Sequence, residues 1–313
     1  MRPAEGIKLF VSEIPGAIQL RLYFYENLTS DEWLPFLEAE GLLQEPLPDE
    51  QISDVLRLWA WPVGRYLIRM ATSENAATRE IVGRTLRALK SSTHPDVHRL
   101  GLAIIAALPA DEAATLADLV GGWLTLEAAH TQTSPHAIIK RLAIAGHVDA
   151  ALRVVGAVFQ VFEGGEELRA FFDPTMYEHY MNAAADELAK AGPLPALAQF
   201  SDLLLHASRT DRRLRSVREE DYSYYIVGSL TPGQLDGGEI LATIIHAIVK
   251  FALAAVVADA SSVHAVLDVL ATYSPKNLSA HRTSRPSYGT RRSARPSGAI
   301  PDRHGADRRR MVP

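Results

Sequence analysis

The chain has 313 residues, with 32 Lys+Arg against 37 Asp+Glu and a formal net charge of −5. Hydrophobic residues make up 47% and charged residues 22%, which excludes a chain that is disordered throughout and a collagen-like repeat. The complete lack of cysteine excludes a disulfide scaffold, a thiol nucleophile and any cysteine-ligated zinc or iron–sulfur site.

The net charge divides between an acidic body and a basic tail. Residues 275–313 contain 10 Lys+Arg and 2 Asp+Glu, a charge of +8, so that residues 1–274 carry −13. Phosphates repel an acidic body, so this distribution argues against non-specific DNA binding by the folded part. No signal peptide is visible at the N-terminus, and we expect a cytoplasmic protein.

The first 29 residues are the hardest to interpret. Apolar and polar residues alternate from Ile18 to Phe24, which predicts a strand. A helix also fits this segment, because good helix formers surround it, and we leave both alternatives open.

Residues 30–274 show capping residues or prolines followed by apolar faces of helical period. They predict helices that begin near Ser30, Asp49, Pro62, Asn75, His94, Pro109, Ser134, residue 148, Asp173 and residue 194, with two more over 239–258 and 261–273. The face of the helix from 148 continues through Phe159 to Phe162. The face of the helix from Pro109 continues to Leu124. Residues 208–238 are less regular and predict a long loop.

The helix starts recur in pairs. Starts near 77, 111, 148 and 194 are separated by 34, 37 and 46 residues, within the periods of TPR, HEAT and armadillo repeats. One amphipathic hairpin cannot bury its own apolar face, so neighbouring pairs stack. We therefore predict an all-α protein, an α-solenoid of about six stacked antiparallel helix pairs. Its tryptophans, Trp33, Trp59, Trp61 and Trp123, are expected in the core.

Two resemblances agree with this prediction. Residues 93–108, from Thr93-His94-Pro95-Asp96-Val97 to Leu108, resemble a HEAT-repeat helix, with a Pro/Asp turn before an Ala/Leu-rich face. Residues 33–37, 41–43, 61–71 and 221–226 resemble the helical-repeat region of large uncharacterised bacterial proteins. That resemblance implies a scaffold region, with any catalytic or nucleotide-handling part lying elsewhere. It implies no catalytic residue here.

The sequence contains none of the common catalytic or nucleotide-binding motifs. No Gly is followed by Lys, so a P-loop cannot be written, and there is no Gly-x-Ser-x-Gly, His-Glu-x-x-His or Gly-x-Gly-x-x-Gly. His94 and His98 stand i, i+4 but lack a third ligand, which favours cap or surface histidines over a metal site. We expect no enzyme activity, no cofactor and no metal.

The apolar run from Ile240 to Ala258 could be a transmembrane segment, but His246 and Lys250 lie near its centre. We predict a helix buried on most sides of a soluble protein, without membrane insertion. Its Lys would extend its ammonium to solvent and its His would be satisfied. A buried functional pair is the less favoured alternative.

A basic ridge is the one candidate binding surface in the body. Its members are Arg65, Arg69, Arg79, Arg84, Arg87, Lys90 and Arg99. The favoured interpretation is a solvated outer face, and the alternative is a surface for phosphate or an acidic partner. A second cluster, Arg209 to Arg218, precedes three acids and predicts an exposed loop of mixed charge.

The helical period stops near residue 275, and Arg, Ser, Pro, Gly and His dominate residues 275–313. Such a segment is expected to be disordered. We favour a frameshifted read-through after a truncated repeat, and the alternative is a genuine basic arm for nucleic acid or membrane.

The predicted function is a non-catalytic helical-repeat scaffold that mediates protein–protein interaction or regulation, as a fragment of a larger bacterial multidomain protein. The alternative is a nucleic-acid-associated helical repeat that uses the basic ridge and the basic tail.

Overall fold

The computed structural model describes residues 3–13, 18–45, 60–124, 135–164, 167–211 and 240–273. These residues are mostly helical, as predicted. The helices are α1 (Pro3–Glu13), α2 (Ile18–Asn27), α3 (Leu34–Ala39), α4 (Pro62–Met70), α5 (Ala76–Ala88), α6 (Pro95–Ala107), α7 (Ala110–Ala114), α8 (Ala117–Trp123), α9 (His136–Ile144), α10 (Val148–Val158), α11 (Pro174–Ala191), α12 (Pro193–Thr210), α13 (Ile240–Ala258) and α14 (Val263–Thr272). Strands β1 (Val161–Gly164) and β2 (Glu167–Ala170) form an antiparallel hairpin, and 3-10 turns cover Asp31–Trp33 and Ala260–Ser262.

The predicted helix starts are confirmed where side chains cap them. Asn75 accepts a hydrogen bond from the Ala77 amide at 3.0 Å, and Asp173 accepts one from the Met176 amide at 3.1 Å. The Nδ1 of His94 accepts a hydrogen bond from the Asp96 amide at 3.2 Å, so this histidine is a cap as predicted. Each cap satisfies an amide that has no partner inside its helix.

Of the two alternatives left open for Ile18 to Phe24, the helix is confirmed and the strand is wrong, because this segment lies in helix α2. Tertiary packing overrides the alternating pattern. The rings of Phe10 and Phe24 stack at 4.2 Å, and Tyr25 is completely buried. The N-terminal helices thereby join the same core as the helices that follow.

Two other predictions in the body need correction. The helix from 148 ends at Val158, and Phe162 lies in β1, where its ring contacts Phe171 edge to face at 4.9 Å. The helix predicted from Pro109 to Leu124 is two helices, α7 and α8, separated at Thr115, whose hydroxyl donates to the Glu112 carbonyl at 2.8 Å.

Some predictions fall outside the described residues. These are the helix from Asp49 to Trp59, the loop from 212 to 238, and the basic tail from 275 to 313. Residues 208–210, assigned to the loop, belong to helix α12.

Most of the described helices contact the helix two places further along the chain, and we refer to the even-numbered and the odd-numbered helices as two rows. Along the even-numbered row each helix contacts the next one, from α2 through α14, and in the odd-numbered row α1 contacts α3, α3 contacts α5, and α7 to α13 follow in the same way. One cluster of buried apolar residues runs through the rows and includes Trp61 and Trp123. Trp33 is partly buried against it.

Glycines allow neighbouring helices of the even row to approach closely. A Cβ at Gly64 on α4 would lie 2.5 Å from the Cδ1 of Leu100 on α6. A Cβ at Gly101 on α6 would lie 2.7 Å from the Cζ3 of Trp123 on α8. Both distances are well below the ordinary carbon–carbon contact distance. The close approach of these helices therefore requires a residue without a Cβ at both positions.

Long polar side chains also connect the helices by reaching backbone carbonyls at helix ends. Arg69 on α4 donates to the carbonyls of Tyr25 and Leu28 at the end of α2. Arg141 on α9 donates to the carbonyls of Ala106 and Leu108 at the end of α6. Because the last carbonyls of a helix have no partner within it, these contacts replace hydrogen bonds that would otherwise be lost on burial.

Helix α13 is the one helix among the described residues that is long and apolar enough to cross a membrane. It contacts α11, α12 and α14, and half of its apolar window is buried inside the fold. The Phe251 ring meets Phe200 of α12 at 4.8 Å. One side of α13 therefore packs against neighbouring helices, and the other side is exposed.

Candidate partner-binding groove

The basic ridge divides into four parts in the structure. Arg65 and Arg69 lie on α4, Arg99 lies on α6, and Lys90 is exposed just after α5. Arg79, Arg84 and Arg87 lie on α5, where Arg79 and Arg87 face α7 and Arg84 faces α3. The seven residues therefore lie on three helices and the turn after α5, and the arginines of α5 have their hydrogen-bond partners on two different neighbouring elements.

Three of the ridge arginines hold parts of the fold together. Arg69 donates to the carbonyl ends of α2, and Arg65 pairs with Glu26 on the same helix. Arg99 pairs with Asp96, whose other carboxylate oxygen accepts the Trp61 amide at 2.7 Å. These guanidinium groups already have acceptors, which leaves them less able to bind a phosphate.

Arg84 connects two helices of the odd row. Its guanidinium contacts both carboxylate oxygens of Glu38 at 3.0 Å and Glu80 at 2.9 Å. The Glu38 carboxylate raises the pKa of Arg84, chiefly by accepting its hydrogen bonds. Both partners are well exposed, so the pair fixes geometry and contributes little stability.

Arg79 and Arg87 meet residues of α7 across an open groove. The Nε of Arg79 donates to both oxygens of Glu112, at 2.8 and 3.0 Å, and its Nη1 donates to the Ser73 carbonyl at 2.6 Å. Arg87 donates to the hydroxyl of Thr115 at 2.8 Å. The Arg79–Glu112 ion pair is more buried than the Arg87–Thr115 hydrogen bond. It therefore holds one side of the groove in a fixed position.

The groove has a volume of about 300 Å³ and an apolar floor with a charged rim. The lining residues are Ala76, Arg79, Glu80, Gly83, Arg87, Leu108, Asp111, Glu112, Thr115 and Leu116. Gly83 is open toward it, because a Cβ there would meet only the Nη1 of Arg87, at 3.5 Å. The guanidinium of Arg87 therefore lies over Gly83 at the floor of the groove.

The rim carries three acids against two arginines. Asp111 is strongly exposed and contacts the Nε2 of His147 at 2.7 Å, so α7 is also connected to the start of α10. Asp111 and Glu112 lie in the first turn of α7, where acids favour the positive end of the helix dipole. Nothing in the pattern indicated their partners, which lie 33 and 36 residues away.

The other candidate residues are dispersed. His98, predicted at a cap or surface, is buried, and its Nε2 lies 2.7 Å from the Ser92 carbonyl. His246 and Lys250 are both exposed, and Lys250 pairs with Asp186 on α11. Arg209 lies in the last turn of α12, and Arg212 to Arg218 lie outside the described residues. Across the described ranges, no three His, Asp or Glu side chains are grouped so that they could hold a metal ion.

One aromatic cluster surrounds a titratable group. The His136 ring at the start of α9 stacks on Tyr180 at 4.3 Å, and Tyr180 contacts Phe172 edge to face. Burial lowers the pKa of His136, and electrostatic interactions with the neighbouring His179 and Lys140 lower it further. The cluster joins α9 to α11.

No family model, curated protein or solved structure matches this chain.

Proposed function

We propose that this chain is a non-catalytic protein-binding scaffold, whose helix pairs stack as an α-solenoid of the HEAT or armadillo kind. The alternating contacts of odd and even helices support this arrangement, as does the resemblance of residues 93–108 to a HEAT-repeat helix. Stacked repeats offer partners extended surfaces assembled from successive helices.

The observation that carries the proposal is the groove between α5 and α7. It combines an apolar floor with a rim of fixed ion pairs, a composition that suits a peptide or helix of a protein partner. Asp111 at the rim remains strongly exposed beside His147, which favours a partner segment that carries a basic side chain beside an apolar one.

The nucleic-acid alternative has less support. Arg65, Arg69 and Arg84 already have carboxylate or carbonyl acceptors within the fold. The body of the chain is also acidic. Duplex DNA binding that weakens steeply with salt, and that weakens further on charge removal at Arg69 and Arg84, would favour this alternative.

The test is site-specific photocrosslinking in cells that express the full chain. A photoreactive side chain at Ala76, which is exposed and lines the groove, should capture a discrete protein. The same side chain at Ile144, exposed on α9 away from the groove, serves as the matched control. Equal capture at both positions, or none at Ala76, would contradict the proposal.

A second variant tests the groove itself. Gly83→Leu should fill the floor and remove the crosslink at Ala76, whereas Gly83→Ala should retain it. Gly83→Ala should fold as the parent does, since a Cβ at Gly83 meets only the Nη1 of Arg87, at 3.5 Å, and far-UV circular dichroism of Gly83→Leu checks that this variant is folded as well.

A further inference from the structure

Arg87 differs from the other arginines of the basic ridge, because no carboxylate or carbonyl group of the described chain binds its guanidinium. The other ridge arginines already have such acceptors, namely Arg65, Arg69, Arg79, Arg84 and Arg99. Arg87 is exposed, and its Nη2 donates to the neutral hydroxyl of Thr115 at 2.8 Å. Its positive charge therefore remains available to a partner that binds in the groove.

The acids of the groove rim differ from one another in the same way. Glu80 and Glu112 already pair with arginines of α5. Asp111 contacts the imidazole of His147 at 2.7 Å, and 91% of its side chain is exposed. Asp111 is therefore the carboxylate of the rim that is most accessible to a partner.

The charges of Asp111 and Arg87 lie at different points of the same rim. Asp111 is in the first turn of α7, and Thr115, which accepts the hydrogen bond from Arg87, directly follows the last residue of that helix. Four residues of a helix rise about 6 Å, so about one helical turn separates the acid from the residue that holds the guanidinium. The groove thus combines an apolar floor with one accessible negative and one accessible positive group.

On the basis of the protein-binding function proposed above, we propose that the groove selects a partner segment with a basic, an apolar and an acidic side chain. The apolar side chain enters the floor beside Gly83, the basic one pairs with Asp111, and the acidic one pairs with Arg87. A carboxylate suits Arg87 better than a phosphate, because the three acids of the rim repel a doubly charged group more strongly. Arg87 therefore determines which charge the partner carries at this position.

Selection from a library of displayed short random peptides tests this proposal on the purified full chain. We expect the parent to enrich peptides in which an apolar residue is accompanied by a basic and an acidic one. Arg87→Glu should instead enrich peptides that carry a second basic residue in place of the acid. Lys90→Glu is the matched control, because Lys90 is exposed just after α5 and does not line the groove, and it should enrich the same peptides as the parent.

A pairwise measurement then assigns the acidic side chain of the peptide to Arg87. Fluorescence polarisation of one enriched peptide should show about two- to fivefold weaker binding when its acid is changed to the amide, because an exposed ion pair contributes modestly. Arg87→Gln should weaken the parent peptide to the same extent, and in that protein the amide peptide should bind no more weakly than the acid. Both Arg87 variants should keep the parent's far-UV circular dichroism, since Arg87 is exposed.

The Gly83→Leu variant distinguishes failure of this proposal from failure of the protein-binding function. Peptides that are lost with folded Gly83→Leu, but whose charges do not change with Arg87→Glu, would overturn the role of Arg87 and retain the groove as a protein-binding site. Independent, additive effects of Arg87→Gln and of the amide peptide would do the same. If no peptide is enriched by the parent and lost with folded Gly83→Leu, both proposals are overturned.

Discussion

The close approach of α6 and α8 makes a quantitative prediction at Gly101. Alanine is the better helix former, and Gly→Ala inside a helix normally gains about 1 kcal/mol. At Gly101 the new Cβ would lie 2.7 Å from the Cζ3 and 3.0 Å from the Cε3 of Trp123. Trp123 is completely buried, so overpacking should cost about 1–3 kcal/mol.

Gly83 provides the matched control in helix α5. Its Cβ would meet only the flexible end of Arg87, at 3.5 Å, so Gly83→Ala should keep the full gain in helix propensity. Because that gain is common to both variants, the difference between them isolates the overpacking. We expect Gly101→Ala to be less stable than Gly83→Ala by about 1–3 kcal/mol.

Urea unfolding followed by circular dichroism measures this difference, with thermal midpoints as a second readout. A difference of 1 kcal/mol corresponds to about 2–4 °C in a domain of this size. Trp123→Phe removes the part of the ring nearest to Gly101, and in that background the penalty of Gly101→Ala should disappear. Equal stability of the two alanine variants, or a penalty that survives Trp123→Phe, would refute the packing of α6 on α8.

Arg69→Met removes the guanidinium that donates hydrogen bonds to the carbonyls at the end of α2. This change should lower the free energy of unfolding, measured in urea, by about 1–3 kcal/mol. An unchanged free energy would mean that water satisfies those carbonyls equally well. Asp31 accepts a hydrogen bond from Thr78 at 2.9 Å, which lowers the pKa of Asp31, so its stabilising contribution should be present above pH 3.8 and lost as the pH falls through its folded pKa. Asp31→Ala should abolish this acid-dependent part of the unfolding curve, and an identical pH profile would argue against it. The pKa of His136 is lower in the folded protein than in the unfolded chain, so the unfolded chain binds a proton at this residue at a higher pH. The free energy of unfolding should therefore fall as the pH drops below 6.5. His136→Phe, which keeps a ring on Tyr180, should reduce that loss in thermal melts between pH 7 and pH 5, and a profile like that of the parent would contradict this reasoning.

Local signals account for what the sequence predicted well. Asn75, His94 and Asp173 cap helices through amides two or three residues away, so the sequence alone determines these helix starts. Gly146 ends α9 with a φ of +83°, in the left-handed region that glycine adopts readily. Such features depend on a few neighbouring residues and need no knowledge of the fold.

Long-range contacts account for what the sequence did not predict. The alternation of apolar and polar residues near Phe24 favours a strand. In the folded chain this segment is a helix, in which Phe24 stacks on Phe10. The β-hairpin depends on the pairing of Val161 with Ala170, where the helical period of Phe159 and Phe162 pointed to a continuing helix. The spacing of apolar residues indicates which of them can be buried together. Whether the segment forms a helix or a strand also depends on the residues elsewhere in the chain that pack against it.

The candidate site was predicted only in part for the same reason. Arg79 and Arg87 were identified as members of a basic ridge. The groove arises because Glu112 and Thr115 meet them from another helix, 33 and 28 residues along the chain. Arg69, in contrast, looks like a surface arginine in the sequence but is a cap for α2. Charge patterns indicate which groups are available, and the helix packing determines which of them are already paired.

The central claim is that the groove between α5 and α7 binds a protein partner. The most direct test is calorimetric titration of the partner captured at Ala76 into the parent, Gly83→Ala and Gly83→Leu proteins. We predict equal affinity for the parent and Gly83→Ala, and a loss of about tenfold or more for Gly83→Leu, because a leucine side chain occupies the floor that the partner needs. The same affinity for all three proteins would contradict the claim.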